Sequence, residues 1–138
     1  MGCTYSYKNH ENNAPNSQEE ANLSPIPFVP PISSGTVIKV YDGDTITITS
    51  KLPYDSSPLY KFSVRLNGID CPEIKGKCES EKEVAKIARD SVSKLIFNKT
   101  IQLKNVKTEK YGRVLAEVWF DGVCINTWIV NQRLAVEY

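Results

Sequence analysis

The stretch Thr36-Val-Ile-Lys-Val-Tyr-Asp-Gly-Asp-Thr-Ile-Thr-Ile-Thr49 gives the clearest structural signal in this sequence. Apolar and polar residues alternate on both sides of Asp42-Gly43, weakly before this dipeptide and cleanly after it. A period of two is typical of a strand with one buried face, and Asp-Gly favours a tight turn between two strands. The stretch therefore predicts two strands joined by a tight turn.

Residues further along the chain predict a third strand and then a long helix. Leu59–Leu66 alternates again, with Phe62, Val64 and Leu66 on the apolar face. The period then changes to that of an amphipathic helix, which Ser80-x-x-Glu83 would begin as a capping box. The side chains predicted to face inward are Val84, Ile87, Ala88, Ser91, Val92, Leu95 and Ile96.

The last part of the chain returns to strands and predicts the fold class. Three strands, a helix, two strands and a short helix fit an α+β, mainly β fold. We expect a small, partly open five-stranded Greek-key barrel of the OB type, with one long and one short helix. The remaining predicted elements are strands at Thr100–Val106 and Val114–Phe120, a hairpin turn at Asp121-Gly122 into Val123–Ile125, and a helix at Ile125–Gln132 with Trp128 and Ile129 inward.

The first part of the chain differs in composition from the rest. Five of the eight prolines lie within the first 31 residues, among many Asn, Ser and Glu residues. Such a segment buries little apolar surface and resists helix and sheet. Residues 1–33 are therefore predicted to be a disordered or polyproline-like tether, and residues 34–138 the folded domain.

The first six residues, Met-Gly-Cys-Thr-Tyr-Ser, match a pattern for N-terminal acylation. Gly2 would take a myristoyl chain and Cys3 a palmitoyl chain, and two chains bind a membrane stably where one does not. The alternatives are an unmodified tail and the start of a processed lipoprotein. Neither a secretory signal nor an apolar run long enough for a transmembrane helix is found, which favours an intracellular protein, with anchoring to the cytoplasmic face of a membrane as one option.

Composition excludes several function classes. Lys and Arg total 17 against 16 Asp and Glu, and a net charge of +1 argues against a polycation that holds nucleic acid by bulk charge. The single histidine, His10, makes triad chemistry and histidine-rich metal sites improbable. The four cysteines lack zinc-site spacing, so free thiols are expected, although Cys71 and Cys78 are close enough in sequence to pair. Carboxylate and arginine chemistry remains.

Ionisable residues gather in four segments, each of which alone would be read as a turn or a solvated surface. Taken together they provide what phosphodiester hydrolysis needs: oxygen ligands for a hard cation, a carboxylate base for water, and forked donors for the phosphate. From the residues alone, Asp44 and Asp70 are the candidate ligands, Glu73 the base, and Arg65 and Arg113 the donors. The segments are Asp42-Gly-Asp-Thr45, Arg65, Gly68-Ile-Asp-Cys-Pro-Glu73 and Glu109-Lys-Tyr-Gly-Arg113.

These segments resemble the staphylococcal nuclease (thermonuclease) family over about residues 36–135, in the same order. The resemblance implies a calcium-dependent nuclease on an OB-fold barrel that cuts DNA and RNA with little sequence preference and leaves 3′-phosphate ends. One departure is Arg133, which stands where a helix-ending glycine is usual. The motifs that match are V-I-K-V-Y-D-G-D-T-I (37–46), V-R-L-N-G-I-D-C-P-E (64–73), E-K-Y-G-R-V-L-A (109–116) and D-G-V-C-I-N-T-W-I-V-N-Q (121–132).

The same resemblance implies a role for each site residue. One Ca²⁺ ion would be bound by Asp44, Asp70 and the backbone carbonyl of Cys71, with Asp42 in the outer shell. Glu73 would act as general base or position the attacking water. Arg65 and Arg113 would clamp the scissile phosphate, while Lys110 and Tyr111 would lie near the substrate. No organic cofactor is implied, and a monomer is the default.

Two other readings remain open at this point. A non-catalytic OB-fold module would bind single-stranded nucleic acid or a protein partner, although we would then expect gaps among the charged site residues. A restriction-type magnesium nuclease would use Asp70 together with Glu73-Ile-Lys75 as an E-x-K motif on a strand, whereas Pro72 and Gly76 predict a loop there.

Overall fold

Eight strands and two helices make up the part of the chain that the structure describes, residues 23–76 and 78–138 of a computed structural model. The predicted bounds of the third strand and of the strand at 114–120 are confirmed. In chain order the elements are β1 (Ser34–Asp42), β2 (Thr45–Lys51), β3 (Leu59–Leu66), β4 (Ile69–Asp70), α1 (Glu79–Ile96), β5 (Thr100–Thr108), β6 (Val114–Phe120), β7 (Val123–Cys124), α2 (Ile125–Asn131) and β8 (Val136–Glu137).

Five of the strands form the predicted barrel. Their order is β3-β2-β1-β5-β6, and β3 also pairs with β6 in parallel, with Val64 opposite Val114. This last pairing closes the sheet into a barrel, where a partly open one was expected. Its interior is lined by apolar side chains from each of these five strands and from both helices, including the fully buried Ile46, Leu66 and Val118.

The predicted hairpin between β1 and β2 is confirmed. Asp42 pairs with Thr45, so Gly43 and Asp44 form a two-residue turn. The backbone carbonyl of Asp44 accepts a hydrogen bond of 2.8 Å from the backbone N–H of Leu66, which ties this turn to the end of β3. A Cβ atom on Gly43 would lie only 2.8 Å from Cys71 Sγ, so this turn packs tightly against the loop after β4.

Helix α1 lies against the barrel through a narrower face than predicted. Its buried residues are Ala85, Ala88, Val92 and Ile96, whereas Ile87 is 54% exposed. Val84 is also exposed. The predicted inward face is therefore wrong at two positions. The small side chains at 85 and 88 allow the helix to approach the barrel closely, which leaves the larger residues beside them at the flank.

The predicted capping box is wrong. The helix begins at Glu79 with Cys78 as its N-cap residue, and no side chain caps it. Ser80 is therefore already inside the first turn, and its hydroxyl lies 3.5 Å from the thiol of Cys78. The acidic side chains of Glu79 and Glu81 in this turn favour the helix start through the helix dipole.

The short helix and its surroundings agree with the prediction in outline. Ile129 of α2 is fully buried and Trp128 packs against the core, as expected. The pair β4–β8, in which Asp70 lies opposite Val136, was not predicted. Two-residue strands are too short to show alternation, so nothing in the sequence marks this pairing.

The N-terminal predictions fall mainly outside the described residues. Residues 23–33 form neither helix nor strand, but Ile32 is buried in the core and the Phe28 carbonyl accepts a hydrogen bond of 2.9 Å from Thr108 Oγ1. The boundary at 33 stays a prediction. Acylation at Gly2 and Cys3 also stays a prediction, because both positions lie outside the described ranges. Neither helix in those ranges has the length and apolar character to cross a membrane.

Candidate active site

The candidate site lies where the β1–β2 turn, the loop after β4 and the turn before β6 come together. A cavity of about 210 Å³ opens between these segments. It combines two carboxylates, two cations and an aromatic ring, and it includes two of the residues predicted to act on the phosphodiester. The lining residues are Tyr41, Asp42, Thr45, Glu73, Ile74, Lys75 and Arg113.

Asp44, a predicted metal ligand, is a buried carboxylate beside this cavity. It is only 6% exposed, and its position is fixed by the tight turn between β1 and β2. Its Oδ2 accepts a hydrogen bond of 2.8 Å from the backbone N–H of Cys71, and its Oδ1 accepts one of 3.0 Å from Thr45 Oγ1. The carboxylate thus connects the hairpin turn to the loop after β4.

Arg65, at the end of β3, bonds two of the predicted metal ligands. Its Nη1 lies 3.4 Å from Asp44 Oδ2, and its Nη2 forms a close ion pair with Asp70. Nη1 also donates a hydrogen bond of 3.1 Å to the carbonyl of Ile69. The predicted clamp and the predicted ligands therefore meet, and Arg65 supplies one positive charge to the two carboxylates.

Asp42, the predicted outer-shell residue, is buried close to other carboxylates. Burial raises the pKa of Asp42, and the negative charges of Asp44 and Glu73 raise it further. The backbone N–H of Ile74 opposes this rise by donating a hydrogen bond of 3.3 Å to Asp42 Oδ1. This part of the site brings the negative charges of Asp42, Asp44 and Glu73 close together, and a cation would stabilise them.

Cys71 contributes through its backbone more than through its thiol. Its N–H holds Asp44, and its carbonyl is the predicted third oxygen ligand. Burial, followed by the negative charge of Asp44, raises the pKa of the Cys71 thiol to about 12, so the thiol stays protonated at neutral pH. Cys71 and Cys78 are free, as expected.

Arg113 is held by a residue that the sequence reasoning missed. Its Nε donates to Glu109 Oε1 at 2.5 Å and its Nη2 to Glu109 Oε2 at 3.2 Å. This paired interaction raises the pKa of Arg113 and fixes the plane of its guanidinium group. The spacing of four residues within a turn was the available signal, because the turn brings residues 109 and 113 together through two backbone hydrogen bonds.

The two residues predicted to lie near the substrate, Lys110 and Tyr111, are in the turn before β6. Tyr111 is 77% exposed, and Lys110 Nζ lies 5.0 Å from the centre of its ring. Neither side chain lines the cavity, although both precede Arg113 in the same turn. Gly112, with a φ of 90°, provides the left-handed backbone that this turn requires.

Comparison with known proteins identifies the family. A family model described as staphylococcal nuclease homologue matches residues 63–138, more than half of the chain. The chain belongs to the staphylococcal nuclease family. The match begins at Ser63, within β3, and includes Arg65, the loop with Glu73 and the turn with Arg113.

Several relatives in this family share the domain. One, named an uncharacterized endonuclease of Escherichia coli, is 30% identical over 105 residues, which is 75% of this chain and 60% of the relative. Another of the same name, from Haemophilus influenzae, is 31% identical over 102 residues, covering 74% of this chain and 51% of the relative. A probable staphylococcal-like nuclease of Oryza sativa subsp. japonica is 27% identical over 78 residues, 56% of this chain and 22% of the relative. The chain therefore spans 60% or less of the length of these relatives.

The donor chemistry fits the hard cation that the family resemblance implies, but the side chains alone do not form a cage. Within residues 23–76 and 78–138, no three His, Cys, Asp or Glu side chains cluster closely enough to hold a metal ion. Asp44 and Asp70 instead share Arg65. The candidate ligands are nevertheless all oxygen atoms, because the Cys71 carbonyl would join the carboxylates of Asp44 and Asp70, and hard cations prefer oxygen ligands.

The E-x-K alternative is not supported by the backbone. Glu73, Ile74 and Lys75 lie in an irregular loop with a turn, closed by a hydrogen bond of 2.9 Å from the Gly76 N–H to the Glu73 carbonyl. This agrees with the loop predicted from Pro72. A strand, on which such a motif would stand, is absent from this part of the described chain.

Proposed function

We propose that the chain is a calcium-dependent phosphodiesterase that hydrolyses DNA and RNA with little sequence specificity and leaves 3′-phosphate ends. One observation carries the proposal. A carboxylate base, Glu73, and a forked donor, Arg113, line a single cavity of about 210 Å³. The ion-pair network of Asp44, Arg65 and Asp70 adjoins this cavity, because Asp44 lies in the β1–β2 turn between the lining residues Asp42 and Thr45. Membership in the nuclease family and the names of its relatives support the reaction class.

Glu73 would accept the proton of the attacking water. As the water oxygen forms its bond to phosphorus, the bond from phosphorus to the 5′ oxygen breaks. The 5′ oxygen leaves as a hydroxyl after taking up a proton, and the phosphate stays on the 3′ side. A general base within reach of the water contributes about 10²–10⁴-fold to such a reaction.

Arg113 and Arg65 would bind the phosphate and stabilise the charge that develops on its oxygens. Guanidinium groups remain charged at any working pH and present their donors in a fixed fork. Glu109 holds Arg113 in plane, and Asp70 with the Ile69 carbonyl holds Arg65. Because Arg113 is oriented by a residue that is not a candidate metal ligand, little reorganisation of this arginine is needed during the reaction.

Calcium, when held by Asp44, Asp70 and the Cys71 carbonyl with Asp42 behind them, would supply positive charge at the phosphate and lower the pKa of water. Asp44 is positioned for this by the Cys71 N–H and the Thr45 hydroxyl. The preference for calcium over magnesium follows from the family resemblance, not from a coordination geometry.

The test is digestion of plasmid DNA and of RNA with Ca²⁺ or with a chelator, followed by analysis of the ends. We expect cutting only with Ca²⁺, and 3′-phosphate with 5′-hydroxyl ends. Glu73→Gln and Arg113→Ala should each lower turnover by about 10²-fold or more. Equal cutting by wild type and both variants would refute the assigned site, and 5′-phosphate ends would refute the proposed bond cleavage. Binding without cutting would favour the non-catalytic OB-fold module.

A further inference from the structure

Tyr41 is placed at the candidate site by an irregularity in β1. Val40 pairs with Ile46 and Asp42 with Thr45, so the register shifts by one residue and Tyr41 has no partner on β2. Such bulges redirect a side chain and are frequent beside active sites. Here the bulge lies immediately before the carboxylate of Asp42.

The ring of Tyr41 is available at this position. It is 43% exposed and forms part of the wall of the cavity that Glu73 and Arg113 also line. Lys39 Nζ lies 5.5 Å from the ring centre, so a second cation stands behind the aromatic ring. The cavity of about 210 Å³ therefore combines the aromatic ring of Tyr41 with Arg113, the proposed phosphate-binding residue, and Glu73, the proposed general base.

An exposed aromatic ring flanked by cations is the usual platform for a nucleic-acid base. Every base has a π-face, so stacking supports binding without sequence preference, while lysines track the backbone. Arg113 and Tyr41 line the same small cavity, so a phosphate bound at Arg113 and a base stacked on Tyr41 cannot come from distant parts of a nucleic-acid strand. They would come from the same nucleotide or from adjacent ones.

We propose that Tyr41 is a base-stacking residue that positions the nucleotide next to the scissile phosphate, with Lys39 contacting the backbone beyond it. The proposal rests on the proposed function, since it concerns the same cavity. The proposed contact with the nucleic-acid base lies on the β1 side of the cavity. It is separate from the exposed pair Lys110 and Tyr111, which lies in the turn before β6 and does not line the cavity.

The experiment measures binding, so that cleavage does not enter the readout. Glu73→Gln is the parent variant, with Ca²⁺ present. The probe is a short fluorescein-labelled oligothymidylate, and a matched series carries one abasic site at each position in turn. Tyr41→Ala and Tyr41→Phe are made in this parent. Tyr54→Ala is the control, because Tyr54 is also an exposed tyrosine but does not line the cavity.

We expect Tyr41→Ala to weaken binding of the intact oligonucleotide by about 5-fold to 150-fold, the range for loss of one stacked base. Tyr41→Phe and Tyr54→Ala should stay within about twofold of the parent. One position in the oligonucleotide should hold the base that stacks on Tyr41. An abasic site at that position should weaken binding by the parent, but it should not weaken binding by Tyr41→Ala further, because that variant has already lost the same stacking contact. Circular dichroism and thermal unfolding establish that each variant is folded.

Three results would overturn the proposal. The first is full affinity of Tyr41→Ala for the oligonucleotide, and the second is no binding by the parent. The third is that Tyr41→Ala loses the same affinity, relative to the parent, for the intact oligonucleotide and for every abasic one. Cleavage by the chain with Glu73 intact is measured separately and tests the proposed function. Cutting combined with any of these results refutes the role of Tyr41 alone. Absence of cutting refutes the nuclease, and the abasic series then still decides whether Tyr41 stacks on bases.

Discussion

Glu109 holds Arg113 by two hydrogen bonds, 2.5 Å from Nε to Oε1 and 3.2 Å from Nη2 to Oε2. Nε and Nη2 of Arg113 are thus both bound by the Glu109 carboxylate. In this orientation Arg113 lines the same cavity as Glu73. Glu109 itself is not among the lining residues. It is therefore a positioning residue, and its removal should be distinguishable from removal of Arg113.

The first prediction concerns this orientation. Glu109→Gln keeps the shape of the side chain but replaces one acceptor oxygen with a donor, so Arg113 loses its paired interaction. We expect turnover to fall by about tenfold, equal to about 1.4 kcal/mol of transition-state stabilisation. Arg113→Ala should lose at least about 10²-fold. Steady-state digestion of one DNA substrate measures both.

The double variant is the control for this assignment. If Glu109 acts through Arg113, adding Glu109→Gln to Arg113→Ala should cause no further loss, because the group being oriented is already gone. A further tenfold loss would mean that Glu109 acts on the substrate by another route.

The second prediction separates Arg65 from its two carboxylate partners. Arg65→Ala leaves Asp44, which is 6% exposed, without its cation. In a chelator, we expect the free energy of unfolding to fall by about 1–3 kcal/mol, the usual penalty for a buried polar group that loses a partner. Calcium should restore part of this loss, because it binds the folded state and replaces the missing positive charge.

Thermal unfolding with Ca²⁺ and with chelator measures this difference, and Asp44→Asn is the comparison. That variant removes the charge, so it should respond to Ca²⁺ less than the wild type does. It should also need more Ca²⁺ for half-maximal cutting, whereas Arg65→Ala should lower turnover without weakening Ca²⁺ binding. A loss of Ca²⁺ binding in Arg65→Ala would contradict the division of roles.

Local patterns predicted most of the fold. The hairpin at 36–49 and the strand Leu59–Leu66 could be predicted because alternation and the Asp-Gly turn act over a few residues. The helix face could not be assigned fully, because Ala85 rather than Val84 faces the barrel, and packing rather than period decides between such neighbours. The pairing of β4 with β8 joins residues far apart in sequence and leaves no local pattern.

The site divides in the same way. Arg65, Asp44 and Asp70 could be named from their residue types, and the structure brings them together through the turn that Leu66 anchors. That Arg65 bonds both carboxylates could not be predicted, since it depends on how β3 meets β4. Tyr41 was missed as well, because a register shift in β1 is invisible in an alternating sequence.

The third prediction tests the end of helix α2. Arg133 has a φ of 61°, and the N–H groups of Arg133 and Leu134 donate to the carbonyls of Val130 and Ile129 at 2.9 and 3.1 Å. This is a Schellman motif with a non-glycine residue at its left-handed position. Arg133→Gly should raise the free energy of unfolding by about 1 kcal/mol.

Chemical denaturation measures this gain, and Arg133→Ala is the matched control. Alanine removes the charge and the long side chain but keeps a Cβ atom in the left-handed region. It should therefore show little of the gain. Equal stabilisation by both variants would mean that the charge of Arg133, rather than its backbone conformation, is unfavourable.

The last prediction concerns pH and lies away from the cavity. Glu117 Oε2 accepts a hydrogen bond of 2.7 Å from Asn105 Nδ2, and its Oε1 accepts one of 3.1 Å from Trp119 Nε1. These bonds, the one from Asn105 most of all, lower the pKa of Glu117 below its ordinary value of 4.5. A carboxyl whose pKa is lowered on folding stabilises the fold above the unfolded pKa, and this contribution is lost as pH falls through the folded pKa.

Asn105→Gly should therefore raise the pKa of Glu117 toward 4.5 and make stability less dependent on pH below that value. Asn105 has a φ of 53°, so glycine is also expected to relieve the backbone there. Asn98→Gly is the matched control, because Asn98 has a φ of 63° and makes no side-chain contact with Glu117. Carbon-detected NMR titration of the Glu117 carboxyl measures the shift. If Asn98→Gly moved that pKa as much as Asn105→Gly does, backbone relief rather than the hydrogen bond would be responsible.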